Sequence, residues 1–236
     1  MCGRYAAAKA IDAVAGHFGA DGIDYQLTPP GYNVAPTDRV PVVVQWDGSR
    51  SVVGMRWGLV PSWAPDPSVG SRMINARVET LADKPAFRTP LAQRRAIMPA
   101  DAYYEWYTRP GTAKQPHAIR RADGEMLAFA ALWERWRTAA GEELLSCTVV
   151  TTASAGSVAY LHDRMPVVLP RDLWDDWLDP QACDRADAVA LLHAAGVPEL
   201  VAHPVSTRVN NVRSEGADLL DEAAPAPTAD QLDLFG

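Results

Sequence analysis

This chain lacks any run of about 18 apolar residues, so no membrane-spanning helix is expected. It lacks a basic start followed by an apolar stretch, so no secretory leader is expected either. Cysteine is scarce. Cys2, Cys147 and Cys183 are odd in number and have no metal-ligand spacing, which argues against a disulfide scaffold and for a reducing cytoplasm. Cys147 and Cys183 read as packed thiols or spectators. No glycine-rich phosphate loop precedes a Lys-Ser or Lys-Thr pair, no G-x-G-x-x-G follows a strand, and no G-x-S-x-G elbow occurs. The five histidines, His17, His117, His162, His193 and His203, have no metal spacing with one another or with cysteine. Neither a metal nor another cofactor is expected.

What is present is ordinary for a globular protein. The 236 residues are 48% hydrophobic and 22% charged, enough for one domain with a sizeable core. The net charge of -7 argues at first against nucleic acid, but it is unevenly placed. Six acids and no Lys or Arg follow Arg213, so the preceding chain holds 22 basic and 23 acidic residues and is nearly neutral. Lysine is rare: only Lys9, Lys84 and Lys114, against 19 arginines. Planar guanidinium groups suit bidentate phosphate contacts. GC-rich codon usage explains the same bias, and both readings stand at this point.

The spacing predicts a helix over 6–18, where the chain is alanine-rich. Strands are expected over 40–46 and 51–60, joined at Asp47-Gly48. The Pro61–Pro67 stretch, with three prolines, must be irregular. Further strands are expected over 94–98 and 102–107, split by Pro99. Segments 116–121 and 125–131 read as a hairpin about Asp123-Gly124. Strands follow over 144–151, 166–169 and 200–205, with helices at 156–161, 173–178 and 187–195. Strands outnumber helices and do not alternate with them, which defines an α+β fold: a single domain with a mostly antiparallel, closed sheet and peripheral helices.

Four residues stand in settings that bear chemistry. If Met1 is removed, Cys2 carries a thiol and a free α-amine on adjacent carbons. Their ordinary pKa values, about 8 for the amine and about 8.5 for the thiol, leave a useful fraction of each reactive form at neutral pH. Such an aminothiol condenses with an aldehyde and closes to a thiazolidine; read alone, Cys2 is also just a second residue. Asn75 lies among apolar neighbours and needs hydrogen-bond partners if buried. Glu105 lies between Tyr104 and Trp106, so it is either a carboxyl with a raised pKa or a residue of the solvent face. His162, beside Asp163 and Arg164, is a tuned acid-base group or a surface cluster. Spacing alone does not bring these four together.

Seven segments resemble, in order, the SOS response-associated peptidase (SRAP) family of abasic-site processing proteins. They are Met1-Cys2-Gly3-Arg4-Tyr5, Tyr32-Asn33-Val34-Ala35-Pro36-Thr37, Arg56-Trp57-Gly58-Leu59-Val60-Pro61-Ser62-Trp63, and Ile74-Asn75-Ala76-Arg77-Val78-Glu79-Thr80. Then follow Met98-Pro99-Ala100-Asp101-Ala102-Tyr103-Tyr104-Glu105-Trp106, His162-Asp163-Arg164-Met165-Pro166-Val167-Val168-Leu169, and Val205-Ser206-Thr207-Arg208-Val209-Asn210-Asn211-Val212-Arg213. The resemblance implies an α+β domain around a distorted β-barrel, with Cys2 exposed after loss of Met1. It implies that Cys2 forms a thiazolidine cross-link with the ring-opened aldehyde of an abasic site in single-stranded DNA. It implies that Asn75 orients the reacting centre, that Glu105 handles protons and helps reversal, and that His162 helps open the sugar. It implies that Arg4, Arg77 and Arg164 hold phosphates, and that the loops carrying Asn33, Pro36 and Trp63 grip and wedge the DNA. Trp63 and Trp106 are also the right type to stack on bases, although a strand tryptophan more often belongs to the buried core.

The chain ends Gln231-Leu232-Asp233-Leu234-Phe235-Gly236, which resembles a bacterial sliding-clamp-binding peptide. Leu232, Leu234 and Phe235 are apolar anchors on a polar tail, and residues 222–230 read as a flexible linker with a reach of roughly 15–18 Å. The expected organisation is a domain over 1–221 and a tail over 222–236, in a monomer that stays in the cytoplasm at the nucleoid. Two other readings remain: an N-terminal-nucleophile peptidase that cleaves its own Met1-Cys2 bond, with lyase-like chemistry alongside, or a non-catalytic reader of single-stranded DNA.

Overall fold

In the computed structural model the described residues are 2–46, 48–108, 113–138, 140–181 and 184–223. The strands are β1 (Tyr5–Ala7), β2 (Gly22–Ile23), β3 (Gly31–Val34), β4 (Arg39–Trp46), β5 (Ser49–Trp57), β6 (Asn75–Arg77) and β7 (Arg95–Ala100). They continue as β8 (Ala102–Tyr107), β9 (Gln115–Arg121), β10 (Leu127–Arg137), β11 (Glu143–Ala153), β12 (Arg164–Pro166) and β13 (Leu200–Pro204). The helices are α1 (Ile11–Phe18), α2 (Pro85–Gln93), α3 (Trp174–Leu178) and α4 (Arg185–Ala194).

Five strands close on themselves. β11, β10, β7, β4 and β5 pair in that order, and β5 returns to β11 through a parallel contact at Ser146↔Arg56 and Cys147↔Trp57. The closed, mainly antiparallel ring is the distorted barrel expected. A second sheet, ordered β13-β9-β8-β1-β3, lies against it. Alternation along the barrel strands builds two cores. One face, with Val42, Met98, Phe129 and Val149, packs with Tyr5, Tyr103 and Ile119 of the second sheet. The other, with Val43, Ile97, Ala130 and Val150, is covered by Phe18, Leu91, Trp177 and Leu192 of the four helices. Buried Arg95 ties two of those helices down: it donates to the carbonyls of Leu91 and Ala92 in α2 and of Trp177 in α3. Those terminal carbonyls have no intrahelical partner, and a cation suits that end of a helix.

Several expectations need correction. Residues 6 and 7 belong to β1, and α1 begins only at Ile11, because β1 is drawn into the sheet between β3 and β8. Pro99 does not split a strand; it lies inside β7 opposite Ala128. β4 pairs β7 only at residues 96 and 97, so the missing N–H of Pro99 falls where the strand has one neighbour. Asp123-Gly124 turns the chain, but no hairpin follows: β9 pairs β8 and β13, whereas β10 pairs β7 and β11. Helix α2 was not anticipated, since its prolines Pro85 and Pro90 argue against helix. Pro85 occupies the first turn, where no N–H is needed.

Glycine is required at one crossing. Gly58 has φ 126°, and a Cβ there would stand 2.6 Å from the Gly70 carbonyl oxygen. A Cβ on Gly70 would stand 2.4 Å from the Gly58 oxygen in return. The two backbones touch, and this holds the base of the 61–74 loop against β5, just before Asn75. No helix among the described residues is long and apolar enough to cross a membrane. Glu222 bridges Val205 and Ala223 donates to Pro204. The rest of the tail, including Gln231, Leu232, Leu234 and Phe235, and also Cys183, lies outside the described residues.

Candidate functional site

The start of the chain runs into the middle of the second sheet. β1 pairs β8 with Tyr5 opposite Tyr103, so the residues before Tyr5 run alongside Tyr104, Glu105 and Trp106. Across from them, β6 is a short strand pairing in parallel with β11, which presents Asn75 opposite Val149. The Asn75 amide donates to the Cys2 carbonyl at 2.8 Å. Its Oδ1 is buried and has no partner among the described residues. Asn75 therefore fixes the backbone that carries the thiol and keeps one acceptor in reserve beside it.

Cys2 has no exposed surface in the chain that carries Met1, and it belongs to the buried cluster that holds Tyr5, Tyr103 and Cys147. Burial, and then the charge of Glu105, hold that thiol far above its usual range. Glu105 is 4% exposed, which settles its face: it looks inward, not to solvent. Burial pushes its carboxyl up to about 7. It is thus split between acid and base forms near neutrality, the condition for moving a proton either way. Opposite it on β9 stands His117.

His162 closes the site from the loop before β12. Its Nδ1 lies 3.0 Å from the Arg164 backbone N–H and 2.6 Å from Asp163 Oδ1. The two contacts demand opposite roles of one nitrogen. A backbone N–H can only donate, so Nδ1 accepts there and the proton sits on Nε2. Burial lowers the His162 pKa, which agrees with the neutral ring. Asp163 is largely exposed and its contact is the weaker constraint. Glu105 and His162 line one cavity of about 450 Å³ with Trp106, Lys114 and Asn210. All four expected residues thus border a single region, two through Cys2 and two through this cavity.

The other expected residues fall into two kinds. Arg4 is braced, donating to Asn33 Oδ1 and the Val209 carbonyl, each at 2.8 Å, with its guanidinium over the Trp106 ring. Asn33 is buried and spends its amide on the carbonyls of Asn211 and Ser214. It clasps the 207–214 segment, whose Asn210 accepts from the Trp106 indole at 2.7 Å. Arg164 is paired with both oxygens of Glu79, at 2.5 and 3.0 Å, and with the Thr151 carbonyl. Arg77 and Trp63, by contrast, are open to solvent, Trp63 at 65%. Pro36 is half-buried and precedes Thr37, whose φ of 82° is the positive value an L-residue avoids. Sequence reasoning did not single out Lys114, Asn210, Tyr103 or Glu79. The rarity of lysine was the one signal pointing to Lys114.

Among the described residues no group of three or more His, Cys, Asp or Glu is placed to hold a metal ion.

Comparison with known proteins defines the class first. Residues 1–212 match the SOS response associated peptidase (SRAP) family, and the chain belongs to it. It is 39% identical over 226 residues to the abasic site processing protein YoaM of Bacillus subtilis, covering 94% of this chain and 98% of that one. It is 33% identical to the abasic site processing protein YedK of Escherichia coli, covering 93% and 99%. Against the abasic site processing protein HMCES of Xenopus tropicalis identity is 33%, covering 78% of this chain and 64% of that longer one. A Bacteroides thetaiotaomicron protein superposes with a TM-score of 0.82 at 24% identity over 94% of this chain and all of that one, a likeness of fold. A phage-related protein of Bordetella bronchiseptica gives a TM-score of 0.69 at 30% identity, covering 87% and 95%.

Proposed function

We propose that this protein processes abasic sites in single-stranded DNA by forming a covalent thiazolidine link through Cys2 once Met1 has been removed. The observation that carries this reading is the Asn75 amide on the Cys2 carbonyl, with Glu105 on the neighbouring strand. The names of the relatives point to the same substrate.

The chemistry follows from the groups. His162, neutral with its proton on Nε2, assists opening of the abasic sugar to its aldehyde. The Cys2 amine attacks the aldehyde carbon and a C–N bond forms. Glu105, in its acid form, protonates the carbinolamine hydroxyl, which leaves as water and gives the iminium ion. Glu105, now a carboxylate, accepts the thiol proton, and the sulfur closes on the iminium carbon. One water is lost overall, and no oxidant or metal is needed. A thiol held this high by burial does not ionise unaided, so the carboxylate is its proton acceptor. Proton return from Glu105 to the departing sulfur, as the nitrogen lone pair re-forms the iminium, is the route of reversal. The Asn75 Oδ1 accepts from the amine and aims its lone pair.

The remaining parts support DNA handling. Arg77 meets phosphate directly, Arg4 and Arg164 do so from braced positions, and Trp63 wedges at the strand's edge. Such contacts give affinity without reading sequence. The Met1-Cys2 bond is the natural target of any peptidase activity of Cys2. The domain acts as a monomer in the cytoplasm, and the 222–236 tail recruits it to a sliding clamp through Gln231, Leu232, Leu234 and Phe235. A peptide of residues 222–236 is expected to bind clamp at micromolar strength and to lose binding with Phe235→Ala.

The deciding test is incubation with single-stranded abasic DNA. Wild type should give a heat-stable shifted band whose intact mass equals protein without Met1 plus DNA minus one water, and Cys2→Ala should give none. An equal band from Cys2→Ala would overturn the assignment.

A further inference from the structure

We infer that Tyr160, held by Tyr107 and His117, forms a stacking seat for an unpaired base next to the abasic sugar. The inference rests on the proposed function and names how that site receives the rest of its substrate. Glu105 and Tyr107 are two apart on β8 and so share one face of the sheet, and His117 stands opposite Glu105 on β9. The side chains of Tyr107 and His117 therefore continue outward along the face that carries the reactive carboxyl. Tyr160 meets this pair edge-on. Its ring centroid lies 5.5 Å from Tyr107 and 6.3 Å from His117, at 76° and 88°. Tyr107 and His117 are themselves 6.1 Å apart at 86°. Three mutually edge-on rings fix one another, the preferred arrangement for aromatic pairs.

Yet Tyr160 remains 54% exposed, leaving much of the braced ring open for something to cover. Its place in the chain says what. Tyr160 stands two residues before His162, which lines the cavity with Glu105 and Lys114. A strand whose abasic sugar enters this cavity must lay its neighbouring nucleotides on the surrounding surface. Lys114 offers a cation for the phosphate, and the Tyr160 ring, braced edge-on by Tyr107 and His117, offers its own face for the base. A nucleobase has a π-face whatever its identity, so the seat is tolerant of sequence.

The test uses the full chain and single-stranded DNA carrying tetrahydrofuran, an abasic mimic with no aldehyde. Binding is then read by fluorescence anisotropy with no covalent step. Stacking by one base leads us to expect Tyr160→Ala to weaken binding about five-fold to about a hundred-fold, while Tyr160→Phe stays within about two-fold. Replacing the bases beside the mimic with further tetrahydrofuran units should weaken wild type by the same factor and leave Tyr160→Ala unchanged. An unaltered thermal midpoint confirms that Tyr160→Ala is folded. Wild-type affinity in Tyr160→Ala, or equal loss in both proteins on removing the neighbouring bases, overturns the seat. These outcomes are separable from failure of the covalent reading: a wild type that binds the mimic but never cross-links true abasic DNA refutes the chemistry and leaves the seat standing.

Discussion

Replacing Glu105 with Gln should make the protein more stable and less active, and the structure gives the size of both effects. The carboxyl is 4% exposed and its pKa rises from an ordinary 4.5 to about 7. Between those values the folded chain binds more protons than the unfolded one. Stability contributed by this group is fully present below about 4.5 and is lost as pH rises through about 7. At 1.36 kcal/mol per pH interval, the ceiling on the loss is about 3 kcal/mol. His17 and His162 act in the opposite sense. Burial lowers both, so their contribution is lost as pH falls. The difference between wild type and Glu105→Gln removes that background. Urea denaturation from pH 4.5 to 8 should show Glu105→Gln gaining on wild type by up to about 3 kcal/mol. The thermal midpoint should rise by roughly 6–12 °C above pH 7 for a chain of this size. The cross-linking rate should fall about 10²- to 10⁴-fold, the usual contribution of a positioned acid-base group. A pH-stability difference that stays flat, or one that favours wild type as pH rises, would refute the assignment of the buried carboxyl.

Other expectations are as direct. Asn75→Ala removes the 2.8 Å bond to the Cys2 carbonyl, and cross-linking should slow about ten-fold at saturating DNA with little change in DNA affinity; an unchanged rate counts against its orienting role. Glu79→Gln releases Arg164 from its bidentate partner, so single-strand binding at low salt should tighten and the salt slope steepen by up to about 0.7; unchanged titrations would remove Arg164 from the phosphate contacts. Gly58→Ala places a Cβ 2.6 Å from the Gly70 oxygen at a φ of 126°, and should cost at least about 1–3 kcal/mol in denaturant melts.

The hairpin of β4 and β5 was legible because Asp47-Gly48 and the alternation agree, and the closed sheet followed from the excess of strands. Pro99 misled because a proline's cost depends on how many neighbours its strand has, which no local window reports. The Asp123-Gly124 turn was read correctly, but a turn does not say that its two arms pair. At the site, the residue types of Cys2, Asn75, Glu105 and His162 were visible, and their meeting was not: β1 and β8 lie far apart in sequence and meet through sheet register, and β6, in the other sheet, reaches them only through the packing of the two sheets. The face of Glu105 was undecidable from two aromatic neighbours. Register with His117 turned it inward. Tyr160 was invisible: it fell in the 156–161 segment expected as a helix, of which the structure keeps only a single turn over Gly156–Val158.

The insertion of β1 between β3 and β8 also sets a clock. Its outer neighbour β3 leaves the ribosome almost at once, but β8 follows about a hundred residues later, roughly 5–20 s at ordinary elongation rates. Tyr5–Ala7, which leads to Cys2, has no β8 partner for those seconds and is held between two strands afterwards. Processing enzymes that trim nascent chains have that interval in which to reach it.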